Sequence, residues 1–163
     1  MKKKNGFTII EVSLVLAIAG LILILAFIAL PGLWRSQRDT QRKEDITTLA
    51  SNLKKWQSNN NRGSLPTDLS SFKEMYYKDK SFEDPDGTSY KLVYNLCDGK
   101  NAGSACGIMT TINNEKFNSH NIYVVTSAAC GSDGHSAVKS VNARKAAIMY
   151  RLEAGNEIFC YEI

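Results

Sequence analysis

The sequence predicts an α+β protein in which one long N-terminal helix packs against a small, mostly antiparallel β-sheet. Three observations support this prediction: a long apolar run near the N-terminus, a helical pattern of apolar residues directly after it, and short alternating segments between turn signals in the C-terminal half. Helical and strand patterns are segregated along the chain, which is typical of α+β folds. At 163 residues, the chain has room for one membrane span and one small soluble domain.

The apolar run extends from Val12 to Trp34 without a charged side chain. At about 1.5 Å of rise per residue, a helix of this length crosses the roughly 30 Å hydrocarbon layer of a membrane. Ser13 is the only hydroxyl in the run, so no polar face marks it as the core helix of a soluble domain. The run therefore predicts a membrane-spanning helix. A cleaved secretory signal is disfavoured, because its best site, residues 27–29, begins with a bulky Phe.

A carboxylate, Glu11, directly precedes this run. The nearest basic residue before it in the sequence is Lys4. An ionised carboxylate costs about 2.5 kcal/mol or more at the centre of a span and less near its end, so such a residue is usually paired or functional. The nearby lysines precede Asn5-Gly6 and would have to fold back against the helix to reach it. We therefore expect the partner of Glu11 to come from another molecule.

The stretch KKKNG followed by FTIIEVSLVLAIAGLI resembles the class III leader of type IV pilins and related pseudopilins. The resemblance implies cleavage after Gly6 by a prepilin peptidase and N-methylation of the new N-terminal residue, Phe7. It also implies that Glu11 pairs with the Phe7 amine of a neighbouring subunit and so sets the subunit register. Gly20 matches the usual glycine of this helix, whereas Pro31 falls about one turn later than the usual proline.

The resemblance further implies the pilin fold and a structural protein without catalytic activity. We expect a homo-oligomeric helical filament at the cell surface, with roles in adhesion, twitching motility or DNA uptake. Before assembly, the apolar helix holds each subunit in the cytoplasmic membrane. A membrane assembly platform and a cytoplasmic ATPase then assemble the subunits into the filament. A type II secretion pseudopilin, a minor pilin and an extracytoplasmic binding domain on a plain anchor remain alternatives. The predicted segments are the leader (1–6), the transmembrane and filament-core helix (7–34), its amphipathic continuation (35–60) and the extracytoplasmic head (61–163).

The charge balance gives no support to nucleic acid as a partner, although local basic clusters remain possible. The formal net charge is +4, but removal of the three leader lysines leaves 17 basic against 16 acidic residues, a formal charge of +1. A nearly neutral mature protein does not show a strong nucleic-acid footprint.

Helical periodicity continues beyond the span, over residues 35–58. Its apolar positions recur at spacings of three and four, and Gly63 suits the position just past a helix. A second, short helix is predicted over residues 71–77, where Ser71 and Glu74 have capping-box spacing. The apolar stripe of the long helix comprises Ile46, Leu49, Ala50, Leu53 and Trp56, and its polar faces carry Arg42, Lys43, Glu44, Lys54 and Lys55.

Strands are predicted by alternation between turn residues. Residues 90–96 alternate after the turn at Pro85-Asp86-Gly87, and residues 121–126 form a second strand. Two strand-like segments, KAAIMYRLE and EIFCYEI, lie on either side of residues 154–156 and predict a C-terminal hairpin. We therefore expect three to five strands packed on one side against the long helix.

The four cysteines, Cys97, Cys106, Cys130 and Cys160, all follow the span. An even number in a small exported domain predicts disulfides and places the head outside the cytoplasm. Of three pairings, we favour Cys97 with Cys106, which closes a short glycine-rich loop, and Cys130 with Cys160, which ties down the last strand. The sequence does not decide between them.

Two polar clusters are candidates for a calcium site and a catalytic site. Glu83, Asp84 and Asp86 place three carboxylates in one turn, and Ca²⁺ takes oxygen ligands of this kind, although the spacing lacks an EF-hand pattern. The resemblance adds that pseudopilins often bind calcium in a comparable region. Residues 131–135 contain Ser, Asp and His, but a hydrolytic triad needs side chains that converge from separate elements. We predict a polar loop there and no catalytic site; a solvated turn remains the alternative to calcium.

Overall fold

The computed structural model describes residues 6–59, 63–66, 69–77, 82–114 and 120–163. Three helices and six strands lie in these residues. In chain order they are α1 (Ile9–Asn59), α2 (Leu69–Tyr77), β1 (Lys91–Leu96), α3 (Ile108–Asn114), β2 (Asn121–Thr126), β3 (Ala128–Cys130), β4 (Ala137–Lys139), β5 (Ala146–Arg151) and β6 (Ile158–Glu162).

The helix α1 is continuous over 51 residues and includes Pro31. Its first half is exposed on all sides, whereas its second half buries the predicted stripe against the sheet. Gly63, after the end of α1, has a φ of 66°, the left-handed conformation that glycine adopts without strain. The helix α2 begins at Leu69, so Ser71 lies inside it. The predicted N-cap at Ser71 is therefore wrong.

Four strands form the main sheet in the order β1-β2-β5-β6, and β3 pairs with β4 in a separate two-stranded sheet. The predicted α+β class is confirmed, and the four strands of the sheet that packs against α1 lie within the predicted three to five. The β2–β5 and β5–β6 pairs are antiparallel, whereas β1 and β2 are parallel. Parallel neighbours need a long crossover. Residues 97–120, which include α3, provide it.

The main sheet has an apolar core on each face, because side chains alternate along a strand. On one face, Ile148 and Tyr150 of β5 pack in a cluster with Leu49 and Leu53 of α1. On the other face, Met149 and its neighbours pack with Ile112 of α3 and with the disulfide cysteines. The sheet is therefore covered by the long helix on one side and by α3 and the β3–β4 sheet on the other.

Two disulfides lie on this second side. Cys97 is bonded to Cys106, nine positions away, and Cys130 of β3 is bonded to Cys160 of β6, thirty positions away. These are the two pairings favoured from loop closure and strand attachment. The second bond joins the small sheet covalently to the last strand of the main sheet.

Candidate functional site

The N-terminal half of α1 is an uncovered apolar surface. Phe7 is 90% exposed, and every residue from Gly6 to Ser36 is exposed, although most of this stretch is aliphatic. Among the described residues, α1 is the one helix long and apolar enough to cross a membrane. A contiguous apolar surface of this size marks a membrane or protein contact.

Gly6 and Phe7, the residues of the predicted cleavage site, precede the first turn of α1 and are exposed. The other leader residues, 1–5, lie outside the described residues. Cleavage between Gly6 and Phe7 stays a prediction.

Glu11 forms a reciprocal cap with Thr8 at the start of α1. The backbone N–H and the hydroxyl of Thr8 each donate to Oε2 of Glu11 at 2.9 Å, and the backbone N–H of Glu11 donates to the Thr8 hydroxyl at 3.3 Å. This is a capping box, with Thr8 as N-cap and Glu11 as the third helical residue. The prediction for Glu11 covers only a charged partner and misses this uncharged one, which the Thr-x-x-Glu spacing could have revealed.

The capping box leaves one requirement of Glu11 unmet. Thr8 supplies hydrogen bonds but no positive charge, and the side chain is exposed at the end of the apolar surface. Hydrogen bonds orient the carboxylate; only a cation offsets the cost of taking its charge out of water. Within the described residues, no cation pairs with Glu11, and a charge partner from another molecule stays a prediction.

A second group of polar residues lies where α1 enters the head. We call Arg38, Asp39, Arg42, Asp84 and Glu153 the ionic cluster. Its centre is the guanidinium of Arg42, which is only 1% exposed. The prediction that Arg42 lies on a polar face of α1 is wrong, because Arg42 is four positions before Ile46 and is buried on the same side of the helix.

Three carboxylates surround Arg42. Its Nε and Nη2 donate to the two oxygens of Asp84, both at 2.7 Å, in a bidentate pair. Its Nη1 donates to Asp39 at 2.8 Å and to Glu153 at 3.2 Å. Burial by itself would lower the pKa of Arg42, but the hydrogen bonds to Asp84 and Asp39 outweigh burial and raise its pKa.

The cluster also holds the β5–β6 turn. Asp39 accepts hydrogen bonds from the backbone N–H groups of Glu153 at 3.0 Å and of Ala154 at 2.6 Å. Arg38 donates through Nε to Glu153 at 2.9 Å. One turn of α1 is thereby tied to the C-terminal hairpin through both side-chain and backbone groups.

The acidic turn contributes to this cluster rather than forming a separate group of free carboxylates. Asp84 is buried and also accepts from the Tyr150 hydroxyl at 3.0 Å, whereas Glu83 is exposed. Asp86 accepts from Thr88, and its Oδ2 lies 2.7 Å from Nε2 of His120. Burial would raise the pKa of Asp86, but the hydrogen bonds from Thr88 and His120 outweigh burial and lower it.

The three candidate calcium ligands therefore face different partners. The ligand-type atoms that lie within 4.8 Å of one another belong to Asp84, Asp86 and His120, not to Glu83. A cation here would have to compete with Arg42 for Asp84. The geometry adds nothing to the calcium hypothesis.

The polar loop at residues 131–135 does not form a triad. The Asp133 carboxylate accepts from the backbone N–H of His135 and from the hydroxyl of Ser136, and Nδ1 of His135 lies 2.5 Å from the carbonyl oxygen of Ile158. The imidazole is thus engaged with a backbone carbonyl rather than with Ser132 or Asp133.

Together these features define the class: an α+β protein whose architecture is consistent with the pilin fold and whose N-terminal helix indicates membrane anchoring. Comparison with family models matches residues 1–27 to the prokaryotic N-terminal methylation motif, which is the class III leader of type IV pilins and pseudopilins. No curated protein and no solved structure matches the chain significantly. The chain therefore carries the N-terminal signal of a pilin-like or pseudopilin precursor, a class that is in general structural and non-enzymatic.

The ionic cluster predicts how stability depends on pH. The hydrogen bond from Arg38, opposed by burial and reinforced by Arg42, lowers the pKa of Glu153 below its ordinary 4.5. A carboxylate with a lowered pKa stabilises the fold above its unfolded pKa, and this contribution is lost as the pH falls through the folded pKa. We expect Arg38→Gln to lower the melting temperature most above about pH 5 and progressively less below about pH 4.

The measurement is thermal unfolding of the full chain in detergent micelles, followed by circular dichroism between about pH 3 and pH 7. Arg35→Gln is the matched control, because Arg35 is 59% exposed and lies 3.6 Å from Glu153. Its effect should be small throughout. An effect of Arg38→Gln that does not change with pH would contradict the assignment.

Proposed function

We propose that this protein is a structural subunit of a type IV pilus. Prepilin peptidase cleaves it after Gly6, the Phe7 amine is methylated, and the subunit polymerises through α1 into a surface filament for adhesion, twitching motility or DNA uptake. The observation that supports this proposal is the N-terminal half of α1, an apolar helix that follows a methylation motif and that no other described residue covers.

The energetics of this surface favour assembly. Full burial of one Leu, Ile, Val or Phe side chain is worth about 1.5–3 kcal/mol relative to water. The surface carries more than a dozen such side chains, most of them over half exposed. Lipid covers them while the subunit waits in the membrane, and neighbouring copies of α1 cover them in the filament. An assembly platform and a cytoplasmic ATPase drive the transfer from one environment to the other.

A pseudopilin of a type II secretion system has the same N-terminal features. Calcium binding at the acidic turn would favour a pseudopilin, since the resemblance implies calcium in a comparable region of pseudopilins, and an ion there would compete with protein donors. Here both oxygens of Asp84 accept hydrogen bonds from Arg42, and Oδ2 also accepts from Tyr150.

N-terminal processing tests the proposal directly. We expect the mature protein, purified from cells that contain a prepilin peptidase, to begin at Phe7 and to carry one extra methyl group on its amine. Peptide mass spectrometry of the N-terminus measures both. Gly6→Val is the control, because a branched side chain at the cleavage position should leave the leader attached. A native protein that retains Met1, or that is cut within residues 27–29, would rule out the pilus subunit.

A further inference from the structure

A pocket of about 320 Å³ opens on the side of the sheet opposite α1, between α3, the β5–β6 turn and the loop before β4. Arg151, Asn113, His135 and Glu157 are among the residues that line it. We call it the Arg151 pocket. It lies apart from both the N-terminal apolar surface and the ionic cluster.

Arg151 is a buried cation on this side of the sheet. Its residue is 7% exposed, and its position at the end of β5 alternates with that of Tyr150, which faces α1. One Nη donates to the carbonyl oxygen of Asn156 at 3.0 Å, and the other donates to the carbonyl oxygen of Ile112 in α3. Two backbone carbonyls therefore fix the orientation of the guanidinium.

These two bonds leave hydrogen-bonding capacity unused. A guanidinium carries five N–H donors and no acceptor. Nε of Arg151 is buried, and no described residue accepts a hydrogen bond from it. Within the described part of the chain, no carboxylate lies within ion-pair distance of Arg151.

The contrast with Arg42 shows how unusual this is. Both guanidinium groups are buried in the same head, but Arg42 makes ion pairs with three carboxylates, whereas Arg151 makes none with the described residues. A buried charge without an opposite charge is costly. The carbonyl of Ile112, near the C-terminal end of α3, offsets only part of that cost.

The two acidic residues that line the pocket do not supply the missing charge. Asp133 accepts hydrogen bonds from Ser136 and from the backbone N–H of His135, within its own loop. Glu157 is exposed and makes no ion pair within the described residues. The pocket thus combines a fixed, under-coordinated guanidinium with room for a ligand of a few heavy atoms.

We propose that the Arg151 pocket binds a small oxyanion from solution, of the carboxylate or phosphate class, through the guanidinium of Arg151. Planar or tetrahedral oxygen groups match the donor fork of arginine. This proposal does not depend on the pilus function, because it concerns only the head and would hold equally for a pseudopilin.

The experiment is a titration of the full chain in detergent micelles with sodium acetate and, separately, with inorganic phosphate. The readout is the NMR signal of the Nε–H group of Arg151 in ¹⁵N-labelled protein. We expect a saturable shift of that signal with at least one of the two anions and none with sodium chloride at equal ionic strength. Arg144→Gln, which removes an exposed arginine elsewhere on the head, should leave the response unchanged.

Two variants complete the test. Anion binding to the folded state should raise the melting temperature of the native sequence, and Arg151→Gln should abolish that rise. Because that variant removes a buried residue and can fail to fold, Glu157→Gln provides a second arm: it removes an exposed like charge from the pocket and should tighten anion binding by at least about threefold.

Two results would overturn the proposal. The absence of a saturable shift with either anion, in a folded protein with an assigned Arg151 signal, would mean that Arg151 only caps α3. A shift that appears on raising the protein concentration, without any response to added anion, would assign the guanidinium to a carboxylate of a second copy of this chain.

Discussion

Neutralising Glu11 is expected to reduce surface filaments by at least about tenfold, while the head remains folded. In the assembled state, the carboxylate of Glu11 would pair with the Phe7 amine of a neighbouring copy in an apolar environment. Removal of one partner of a buried ion pair leaves an uncompensated charge and typically costs about 3–5 kcal/mol. Sheared filaments, quantified by immunoblotting against total subunit, give the measurement.

The capping box allows the charge of Glu11 to be separated from its local role. Gln also fits the third position of a capping box, so Glu11→Gln keeps a hydrogen-bonding group near Thr8 and removes only the charge. We expect it to fail in assembly as Glu11→Ala does. Thr8→Ala, which removes the N-cap at a cost of about 1 kcal/mol, should still assemble. Normal filaments from Glu11→Gln would show that capping, not charge, is what the carboxylate provides.

Replacement of Arg42 by Met is expected to lower the free energy of unfolding of the head by about 3–5 kcal/mol. The substitution keeps the apolar stem but leaves Asp84, whose side chain has 0% exposure, and Asp39 without their cation. It also removes the link between α1 and the β5–β6 turn through Glu153. Urea unfolding of the full chain in micelles, followed by near-ultraviolet circular dichroism, measures the loss.

Two matched variants bracket that value. Arg35→Gln disrupts an exposed ion pair to the same Glu153 and should cost no more than about 1 kcal/mol. Tyr150→Phe removes one hydrogen bond to Asp84 and should cost about 1 kcal/mol, and it keeps the test informative if Arg42→Met does not fold. A loss for Arg42→Met as small as that for Arg35→Gln would show that Arg42 is not the centre of the head's polar interior.

Local patterns accounted for most of the fold, because periodicity and turn residues act over a few positions. The stripe of Leu49 and Leu53, the strand over residues 121–126 and the C-terminal hairpin all follow from such patterns. The strands β3 and β4 were missed because each has only three residues, too few for alternation to be visible. The parallel pairing of β1 and β2 was missed because it depends on a crossover rather than on either strand.

The ionic cluster was out of reach for a different reason. Arg42 lies four positions before Ile46, on the side of α1 that carries the apolar stripe, but its charge favoured a polar face. Its partners Asp84 and Glu153 lie 42 and 111 positions away, so only the folded chain brings them together. The cap formed by Thr8 and Glu11, in contrast, is a local pattern that the sequence does contain.

The bond between Cys130 and Cys160 has a mechanical consequence. Its two ends are thirty positions apart in sequence, and an extended chain of that length would reach about 100 Å. When tension is applied across the head, the disulfide bears the force and the segment between the two cysteines, which includes β4 and β5, cannot extend. Reduction of the bond would allow this segment to extend, so that a pulling force would lengthen each subunit instead of being transmitted through it.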